Sequence, residues 1–511
     1  MAFFLVCMST LLFISISSYV FQLLADRRHR LPPGPRPLPL IGNLLDVASE
    51  LPHRSLARLA GRHGPLITVR LGTLLTIVAS SPSTAREILQ THNGSLTGRS
   101  PPDAWLALGH AANSVFVLPP DRRWRALRRI GTEHLLSARQ LDGARVRPLL
   151  RDGVLDLVRR VSELAAAAAP VAVVHAAFAA LMDLQWRAMF SAGLDDAAAR
   201  ALHDAAREAV ALSLKPNVSD FFPALAAADL QGVRRGFGRR MAMVYRLVDE
   251  QIERRMRHRR EAAAGGGVSS CEKDLLDVML DMSEQGKDDG VMISVNRDVM
   301  RTFLADLFLA TVDIISGTIE WAMAELLQHP DTLRKLQKEL TSVVGSKLYV
   351  EHSDVGRLPY LRAVIRETLR LHPVVPLVPN EAEQTVKVHG HTVPKGCTVL
   401  VNIWAVHRDA GVWPEPDRFV PERFLQPRHE DTGFVGTTEF EFIPFSAGRR
   451  ACLGLPLATR MLHAMLGSLL HRFDWALQRE AMENGVDMSE SLGLTMTMAT
   501  PLKAIAKPRS V

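Results

Sequence analysis

The chain opens with a predominantly apolar run from Phe3 to Leu24 that contains no charged residue. At about 1.5 Å of rise per residue a helix of this length spans roughly 33 Å, enough to cross the hydrocarbon core of a bilayer. Arg27, Arg28 and Arg30 follow at once, and basic residues keep that flank in the cytosol. The length of the run and the lack of a small-x-small cleavage site favour an uncleaved anchor over a signal peptide. We therefore predict a membrane signal anchor over residues 1–25.

A basic and proline-rich segment, residues 26–40, follows the predicted anchor. Five of the eight residues from Pro32 to Pro39 are proline, which excludes a helix and favours a stiff, extended connector. Such a segment is either a plain linker, a ligand for a proline-binding module, or a spacer that orients a globular domain. Its place after an anchor favours the spacer, so we predict a hinge over 26–40 and one globular domain over 41–511.

Helical patterns dominate the globular domain, and strand patterns are few. Apolar runs at 66–72 and 74–79 predict a β-hairpin, and the apolar run 399–405 predicts a buried strand. A long helix is predicted over 296–329, where a proline ends it, and another over 455–472. The predicted fold class is mainly α with a smaller β part (α+β).

Charge and cysteine content limit the partners and the kinds of site. The net charge of +7 and the pI of about 9.4 permit a nucleic acid, an anionic membrane surface or an acidic protein as partner. The sequence contains no nucleic-acid-binding motif, which leaves the other two. Four cysteines without a Cys-x-x-Cys pair argue against a zinc site or a disulfide framework.

The most informative loop runs from Phe442 to Gly454 and presents Cys452 just before the helix predicted at 455–472. A thiolate at a helix N-terminus is favoured by the unpaired N–H groups and by the helix dipole. The adjacent Arg449 and Arg450 act in the same direction, so we expect a lowered pKa and a ligating thiolate at Cys452. The alternative is a buried structural cysteine beside a pair of surface arginines.

The spacing Phe445-x-x-Gly448-x-Arg450-x-Cys452-x-Gly454 resembles the haem-binding loop of the cytochrome P-450 superfamily. The resemblance implies haem b (iron protoporphyrin IX) as cofactor and Cys452 as the axial ligand of its iron. It also implies that Phe445, Gly448, Arg450 and Gly454 surround the cofactor. The corresponding fold would be the cytochrome P-450 fold, preceded by one N-terminal transmembrane helix, with residues 41–511 as the haem-thiolate catalytic domain.

A second match to the superfamily lies in the basic segment 122–129. Trp124 and Arg128 are four residues apart and share a helix face. They match the superfamily's Trp-x-x-x-Arg, whose members hydrogen-bond the haem propionates; the alternative is a solvated basic face. For the neighbouring Arg122, Arg125 and Arg129 we expect a docking surface for an acidic electron donor.

The middle of the helix predicted at 296–329 matches the superfamily in part. There, an acid-plus-threonine pair relays protons towards dioxygen beside the iron. Asp313 stands at the acid, but Thr311 replaces a glycine and Ile314 replaces the threonine. Isoleucine cannot donate a hydrogen bond, so Asp313 would have to relay through water, Thr311, Ser316 or a substrate hydroxyl. Without the resemblance, an aspartate in mid-helix is more often a surface residue or part of an ion pair.

Glu367 and Arg370 are adjacent on one helix face, and Arg423 follows in a Pro-Glu-Arg-Phe segment. These residues resemble the superfamily's Glu–Arg–Arg cluster, and one buried carboxylate can be shared by two guanidiniums. We expect a structural triad that supports the cysteine loop. Asn380 stands where many plant relatives have a basic residue facing a propionate.

The resemblance covers the whole chain and is greatest to plant microsomal members, in particular geraniol-hydroxylase-like terpenoid oxidases. It implies a monooxygenase that inserts one oxygen atom from O2 into a hydrophobic plant metabolite, with electrons from NADPH through a reductase. A mono- or diterpenoid substrate is expected. It also implies a monomeric catalytic unit, single-pass in the endoplasmic reticulum membrane, with its catalytic domain in the cytosol. The expected substrate-pocket residues are Phe116, Ala310, Val375, Leu377 and Leu494.

Two alternatives to a terpenoid monooxygenase stay open from the sequence. A flavonoid or phenylpropanoid hydroxylase is a close relative within the superfamily. A reductase-independent haem-thiolate isomerase or dehydratase is the other, because Ile314 replaces the usual threonine.

Overall fold

The computed structural model describes residues 17, 19, 30–213, 215–264, 273–285, 295–427, 434, 440–493 and 495–509. Apart from two isolated positions, the predicted anchor over 1–25 lies outside the described residues. Helices dominate the described part, and short strands form small sheets beside them. The prediction of a mainly α fold with a smaller β part is confirmed.

The α-helices are numbered here in chain order. They are α1 (Leu44–Ala48), α2 (Pro52–His63), α3 (Pro82–Arg86), α4 (Arg122–Gly131), α5 (Ala138–Leu141), α6 (Val146–Ala166), α7 (Val173–Phe190), α8 (Asp196–Ser213), α9 (Val218–Phe221), α10 (Val233–Ala264), α11 (Leu275–Gln285), α12 (Arg297–Gln328), α13 (Pro330–Val344), α14 (Pro359–Leu371), α15 (Ile403–Val406), α16 (Leu455–Arg472) and α17 (Arg479–Asn484). Short 3₁₀ helices lie at Asp103–Ala112, Pro223–Ala228, His352–Arg357, Pro421–Leu425 and Gly448–Arg450, and π-helical turns at Glu87–Thr91 and Thr132–Leu136.

The strands are short. They are β1 (Leu66–Leu71), β2 (Leu74–Ala79), β3 (Val171–Ala172), β4 (Leu377–Glu381), β5 (Val386–Val388), β6 (His391–Val393), β7 (Thr398–Asn402), β8 (Phe473–Leu477), β9 (Glu490–Leu492), β10 (Met496–Met498) and β11 (Lys503–Pro508). The largest sheet has the order β1-β2-β7-β4, with β2 parallel to β7 and the other pairs antiparallel. The hairpin predicted at 66–79 is confirmed, with Gly72 at a φ of +61° in its turn.

Helix α12 lies at the centre of the core and confirms the helix predicted over 296–329. Its N-terminus is capped by Asn296, whose Oδ1 accepts the N–H of Val299 at 2.9 Å. The helix packs against α7, α10, α14 and α16. By length and composition α12 could cross a membrane, but most of it is buried within the protein, so it is a core helix.

The prediction of a strand over 399–405 is confirmed for residues 399–402 and wrong for residues 403–405. Strand β7 stops at Asn402, and Ile403 to Val406 form α15. The side chain of Asn402 causes the change, because its Oδ1 accepts the N–H of Ala405 at 3.1 Å and caps a helical turn.

The proline-rich segment is extended and reaches the edge of the sheet. The carbonyl of Pro33 accepts the N–H of Thr68 in β1 at 2.9 Å. A side chain at Gly34 would clash with the Thr68 carbonyl, so only glycine fits at this close approach. From Pro33 onwards, the predicted hinge is therefore already in contact with the globular domain.

Candidate active site

The loop that carries Cys452 is held by backbone hydrogen bonds. The N–H of Cys452 donates to the carbonyl of Phe445 at 3.0 Å, and helix α16 begins three residues later, as predicted. Gly448 has a φ of +71°, and a side chain there would clash with the carbonyl of Leu89. The N–H of Ile443 donates to Nε2 of His407 at 2.9 Å. The loop is thus pinned at both ends.

His407 must be neutral to act as that acceptor. Burial and the charges of Arg370 and Arg408 lower its pKa to about 3, so the ring is uncharged at neutral pH. His407 therefore has a structural role in holding the cysteine loop.

The electrostatics of Cys452 differ from the prediction. Residue Cys452 is accessible to solvent, but many protein atoms lie close to its thiol. The partial loss of water around the sulfur raises the pKa of the thiol. The backbone N–H groups of Gly454 and Leu455 and the charge of Arg128 act in the opposite direction and are outweighed. The prediction of a lowered pKa is therefore wrong for the free thiol, and the nearby positive charge comes from Arg128 rather than from Arg449 or Arg450. A bound metal cation would displace the proton.

A cluster of guanidiniums lies beside this loop. Arg128 and Arg450 stand over the ring of Trp124, at 5.1 and 5.0 Å from its centroid. Arg128 donates to the carbonyl of Ala451 at 2.8 Å, next to Cys452. Arg450 donates to the carbonyls of Thr97 and Leu118, both at 2.6 Å. The structure thus brings Trp124, Arg128 and Arg450 together.

Arg99 completes the cluster, and sequence reasoning missed it. It donates to the carbonyl of Phe116 at 3.1 Å, and Arg450 donates to the same oxygen at 3.2 Å. Burial and the charges of Arg450 and Arg128 lower the pKa of Arg99 to about 9, and burial and Arg128 lower that of Arg450 to about 10. The only feature of the sequence that could have indicated this role is the position of Arg99 directly before the apolar segment 100–120.

These residues fit a haem. Within the part of the chain that the structure describes, no carboxylate forms an ion pair with Arg99, Arg128 or Arg450, and the Nε of Arg99 has no partner. Positive charges this close together destabilise the folded protein unless anions lie beside them. The two propionates of haem b are anions of this kind. The buried Nδ2 of Asn380 also lacks a partner among the described residues. Cys452 supplies the soft sulfur ligand that iron takes in haem-thiolate proteins.

Asp313 on helix α12 has its hydrogen-bond partner outside the helix. Its Oδ2 accepts the hydroxyl of Thr495 at 3.0 Å. Burial raises the pKa of Asp313, while Thr495 and the charges of His203 and Arg207 act in the opposite direction. Sequence reasoning missed Thr495, since nothing local connects it to the helix.

The hydroxyls on helix α12 that the sequence suggested as relays are bonded elsewhere. Thr311 donates to the carbonyl of Leu307 at 2.9 Å, and Ser316 to that of Val312 at 2.8 Å. Ile314 is partly buried and packs against the core. The structure therefore does not pair Thr311 or Ser316 with the carboxylate of Asp313.

Glu367, Arg370 and Arg423 form one buried cluster. Arg370 donates from Nε and Nη2 to the two oxygens of Glu367, at 2.7 and 2.9 Å, and Arg423 donates from Nε at 3.0 Å. The N–H of Val420 also donates to this carboxylate, at 2.8 Å. Arg370 further donates to the carbonyl of His407, the residue that pins the cysteine loop. The cluster thus connects the segment before the loop to α14.

The expected pocket residues are only partly brought together. Phe116, Ala310 and Val375 are partly buried, and Phe116 and Val375 pack against the main core. Leu377 packs instead against a separate cluster that contains Leu56, because it faces the side of the sheet opposite to Val378. Its contacts thus differ from those of Phe116 and Val375, and its assignment to the pocket stays a prediction. Leu494 lies outside the described residues.

A buried polar network holds the segment around Phe116 and was also missed from the sequence. Asp306 of α12 accepts the N–H of Val115 at 2.8 Å and lies 3.3 Å from Nε2 of His110. His110 Nδ1 and the hydroxyl of Tyr245 are 2.6 Å apart. The carbonyl of Val115 accepts the indole N–H of Trp124 at 3.0 Å. The segment is thus fixed between α12 and the guanidinium cluster.

The fold is helical, with an accessible cysteine ahead of a core helix and beside three guanidiniums that have no carboxylate partner among the described residues. This arrangement is typical of a haem-binding protein. The family model described as Cytochrome P450 matches residues 32–502. The chain belongs to the cytochrome P450 family and is an oxidoreductase of the monooxygenase type.

Named relatives cover nearly the whole chain. Geraniol 8-hydroxylase of Swertia mussotii is 40% identical over 486 residues, 94% of either chain. Carnosic acid synthase of Rosmarinus officinalis is 40% identical and covers 95% of this chain and 96% of its own. A zebra fish cytochrome P450 solved with abiraterone has a TM-score of 0.73 and 25% identity, covering 90% of this chain and 100% of its own.

Proposed function

We propose that this protein is a membrane-anchored monooxygenase that hydroxylates a terpenoid, with haem b held by Cys452 and electrons from NADPH through a reductase. The observation that carries the proposal is the accessible Cys452 thiol beside the cluster of Arg99, Arg128 and Arg450. Two relatives that are each 40% identical are named geraniol 8-hydroxylase and carnosic acid synthase, which supports an isoprenoid substrate.

Residues from several parts of the chain would hold the cofactor. Cys452 would ligate the iron, and Arg99, Arg128, Trp124 and Arg450 would bind the propionates. When bound, the haem supplies reductive activation of O2, so that RH, O2, NADPH and H⁺ become ROH, H2O and NADP⁺. Phe445, Gly448 and Gly454 would shape the space beside the sulfur, where a side chain on Gly454 would lie 3.9 Å from Sγ.

The role of helix α12 would be to bound the pocket and to hold a proton. Ala310 and Ile314 offer apolar surface to a hydrophobic substrate, together with Phe116 and Val375. Asp313 is the one acid we assign to proton handling. Burial raises its pKa, and a raised pKa makes the carboxyl group a more ready proton acceptor.

The Glu367, Arg370 and Arg423 cluster would act as a support. It is buried and makes several charge-assisted hydrogen bonds, so removing one member would leave an uncompensated buried charge. Because it holds the segment before the cysteine loop, its loss would prevent stable haem insertion rather than alter the chemistry.

Two further assignments concern the surroundings of the protein. Arg122 and Arg125 are exposed on α4, the helix that also carries Arg128. They would form the docking surface for an acidic reductase. The apolar N-terminal run would anchor the protein in the endoplasmic reticulum membrane, with the catalytic domain in the cytosol.

The test is turnover in microsomes that contain the full-length protein and a plant reductase. Mono-, sesqui- and diterpenoids are compared with flavonoids, with and without NADPH and O2, and products are identified by mass spectrometry. Hydroxylated terpenoid that requires both NADPH and O2 supports the proposal. Preferred oxidation of flavonoids overturns the substrate assignment, and product without NADPH or O2 overturns the monooxygenase in favour of an isomerase or dehydratase.

The ligand assignment has its own spectroscopic test. Cys452→Ser should remove the red-shifted carbon-monoxide band of thiolate-ligated ferrous haem. The matched control is Cys397→Ser, at a buried cysteine in the core beside the central sheet, which should keep the band. Retention of the band in Cys452→Ser would reject Cys452 as the ligand.

A further inference from the structure

The turn between β9 and β10 places one threonine hydroxyl on the acid of helix α12. Thr495 is buried, with 3% of its surface exposed, and its hydroxyl donates to Oδ2 of Asp313 at 3.0 Å. The two residues are 182 positions apart in the chain. The contact joins the C-terminal hairpin to the middle of the core helix.

The backbone around Thr495 leaves this hydroxyl little freedom. The carbonyl of Thr495 accepts the N–H of Gly493 at 3.0 Å, and the N–H of Met496 donates to the carbonyl of Val374 at 2.8 Å. The carbonyl of Met496 accepts the indole N–H of Trp321, on α12, at 3.1 Å. The turn is therefore bonded to α12 and to the segment after α14, and its position relative to Asp313 is defined.

No hydroxyl on the helix substitutes for it among the described residues. Thr311 and Ser316 donate to carbonyls of their own helix, as threonine and serine commonly do in helices. The position after Asp313 is Ile314, which has no hydroxyl. Thr495 is the described side chain that donates to the Asp313 carboxylate.

We propose that Thr495 is a positioning residue for Asp313 and provides, from the C-terminal hairpin, the hydroxyl that Ile314 cannot provide from the helix. This inference rests on the proposed monooxygenase function. A hydroxyl has one donor and two acceptor sites, so after donating to Asp313 its oxygen can still accept a hydrogen bond from water or substrate. The pair thus holds the carboxyl in one orientation and leaves an acceptor site on the threonine oxygen.

The direct test compares Thr495→Val, which keeps the shape, with Thr495→Ser, which keeps the hydroxyl. Uncoupled turnover converts O2, NADPH and H⁺ into H2O2 and NADP⁺, so product and peroxide per NADPH report how well protons are delivered. In Thr495→Val we expect product per NADPH to fall about fivefold or more, with a matching rise in peroxide. Thr495→Ser should stay within about twofold of the parent protein.

The control within the same hairpin is Thr497→Val. Thr497 lies on β10, and its hydroxyl is 3.5 Å from the carbonyl of Ser491 rather than on Asp313. This variant should couple like the parent. Coupling in Thr495→Val equal to that of the parent overturns the proposal, as does equal loss in Thr495→Ser and Thr495→Val, because bulk rather than the hydroxyl would then matter.

A second readout needs no turnover. Amide hydrogen exchange of the peptide 490–498 is measured in the resting full-length haem protein, for the parent, Thr495→Val, Asp313→Asn and Thr497→Val. We expect exchange several-fold faster in Thr495→Val and Asp313→Asn than in the parent and the control. Unchanged exchange in both overturns the contact itself. If the parent protein oxidises no terpenoid, the proposed substrate class is rejected. The exchange measurement still tests the contact between Thr495 and Asp313, because it does not depend on turnover.

Discussion

Asp306 accepts a hydrogen bond from the backbone N–H of Val115 at 2.8 Å. Through this bond, the core helix α12 holds the segment around Val115, which lies beside the guanidinium cluster. The carboxylate is 1% exposed and has His110 as its second partner at 3.3 Å. Because the next residue along the loop is Phe116, this bond also sets where an expected pocket residue lies.

Asp306→Ala should therefore lower the free energy of unfolding by about 3–5 kcal/mol, because His110 and the Val115 N–H lose their acceptor in a buried site. Urea unfolding followed by tryptophan fluorescence measures the change. Asp298→Ala, at an exposed aspartate in the first turn of the same helix, should cost less than about 1 kcal/mol. Equal effects of the two substitutions would contradict the anchoring role of Asp306.

Arg99 should contribute to haem retention and not to the stability of the protein without haem. Arg99→Met removes a buried guanidinium that Arg450 and Arg128 repel, and it removes the proposed partner of a propionate. We expect haem transfer to apomyoglobin to accelerate roughly tenfold or more, since hydrogen bonds between charged groups are worth about 1.5–3 kcal/mol. Arg122→Met, at an exposed position of α4, should transfer haem at the parent rate. A haem-transfer rate unchanged by Arg99→Met would remove Arg99 from the site.

Glu490 should make stability depend on acid pH. Burial alone would raise its pKa, but hydrogen bonds from His53 and Arg54 outweigh this effect and hold the pKa at about 2. The folded pKa lies below the unfolded one, so the carboxylate stabilises the protein above pH of about 4.3 and loses this contribution as the pH falls towards 2.

Glu490→Gln measures that contribution. The parent should be more stable than the variant by about 2 kcal/mol at pH 6.5, and the difference should shrink by about 1 kcal/mol at pH 3.5. The matched control Glu483→Gln removes an exposed partner of Arg479 and should leave the urea midpoint nearly constant at both pH values. A difference that grows towards acid would refute the assigned direction of the pKa shift.

The exposed arginines of α4 should affect reductase docking and not haem binding. Arg122→Glu with Arg125→Glu should raise the reductase concentration at half-maximal rate about fivefold at low salt, and less at high salt where charges are screened. The carbon-monoxide band should be unaffected. Arg246→Glu with Arg479→Glu, at exposed arginines on α10 and α17, is the control of equal charge change. The same shift in this control would show a nonspecific effect of net charge.

Much of the fold follows from local pattern. Helix α12 and helix α16 begin and end where the apolar period and the flanking residues indicate, and the hairpin β1–β2 follows from two apolar runs about a glycine turn. The last residues of the predicted strand over 399–405 are helical, because one side chain, Asn402, caps a turn that apolar content could not reveal. Local preference decides most elements, and a single cap decides where one of them ends.

Residue types at short, fixed spacing were enough to find the loop that carries Cys452, the Trp124–Arg128 face, the Glu367 cluster and the departure at Ile314. The tertiary structure was needed to show that Arg99 joins the guanidinium cluster, that Thr495 reaches Asp313, and that Leu377 packs against the cluster of Leu56. It also reversed the expected pKa shift at Cys452, since desolvation depends on all surrounding atoms and not on adjacent residues. Contacts between residues that are far apart in the chain depend on how the helices and strands pack together. This packing produces no periodic pattern in the sequence from which the contacts could be predicted.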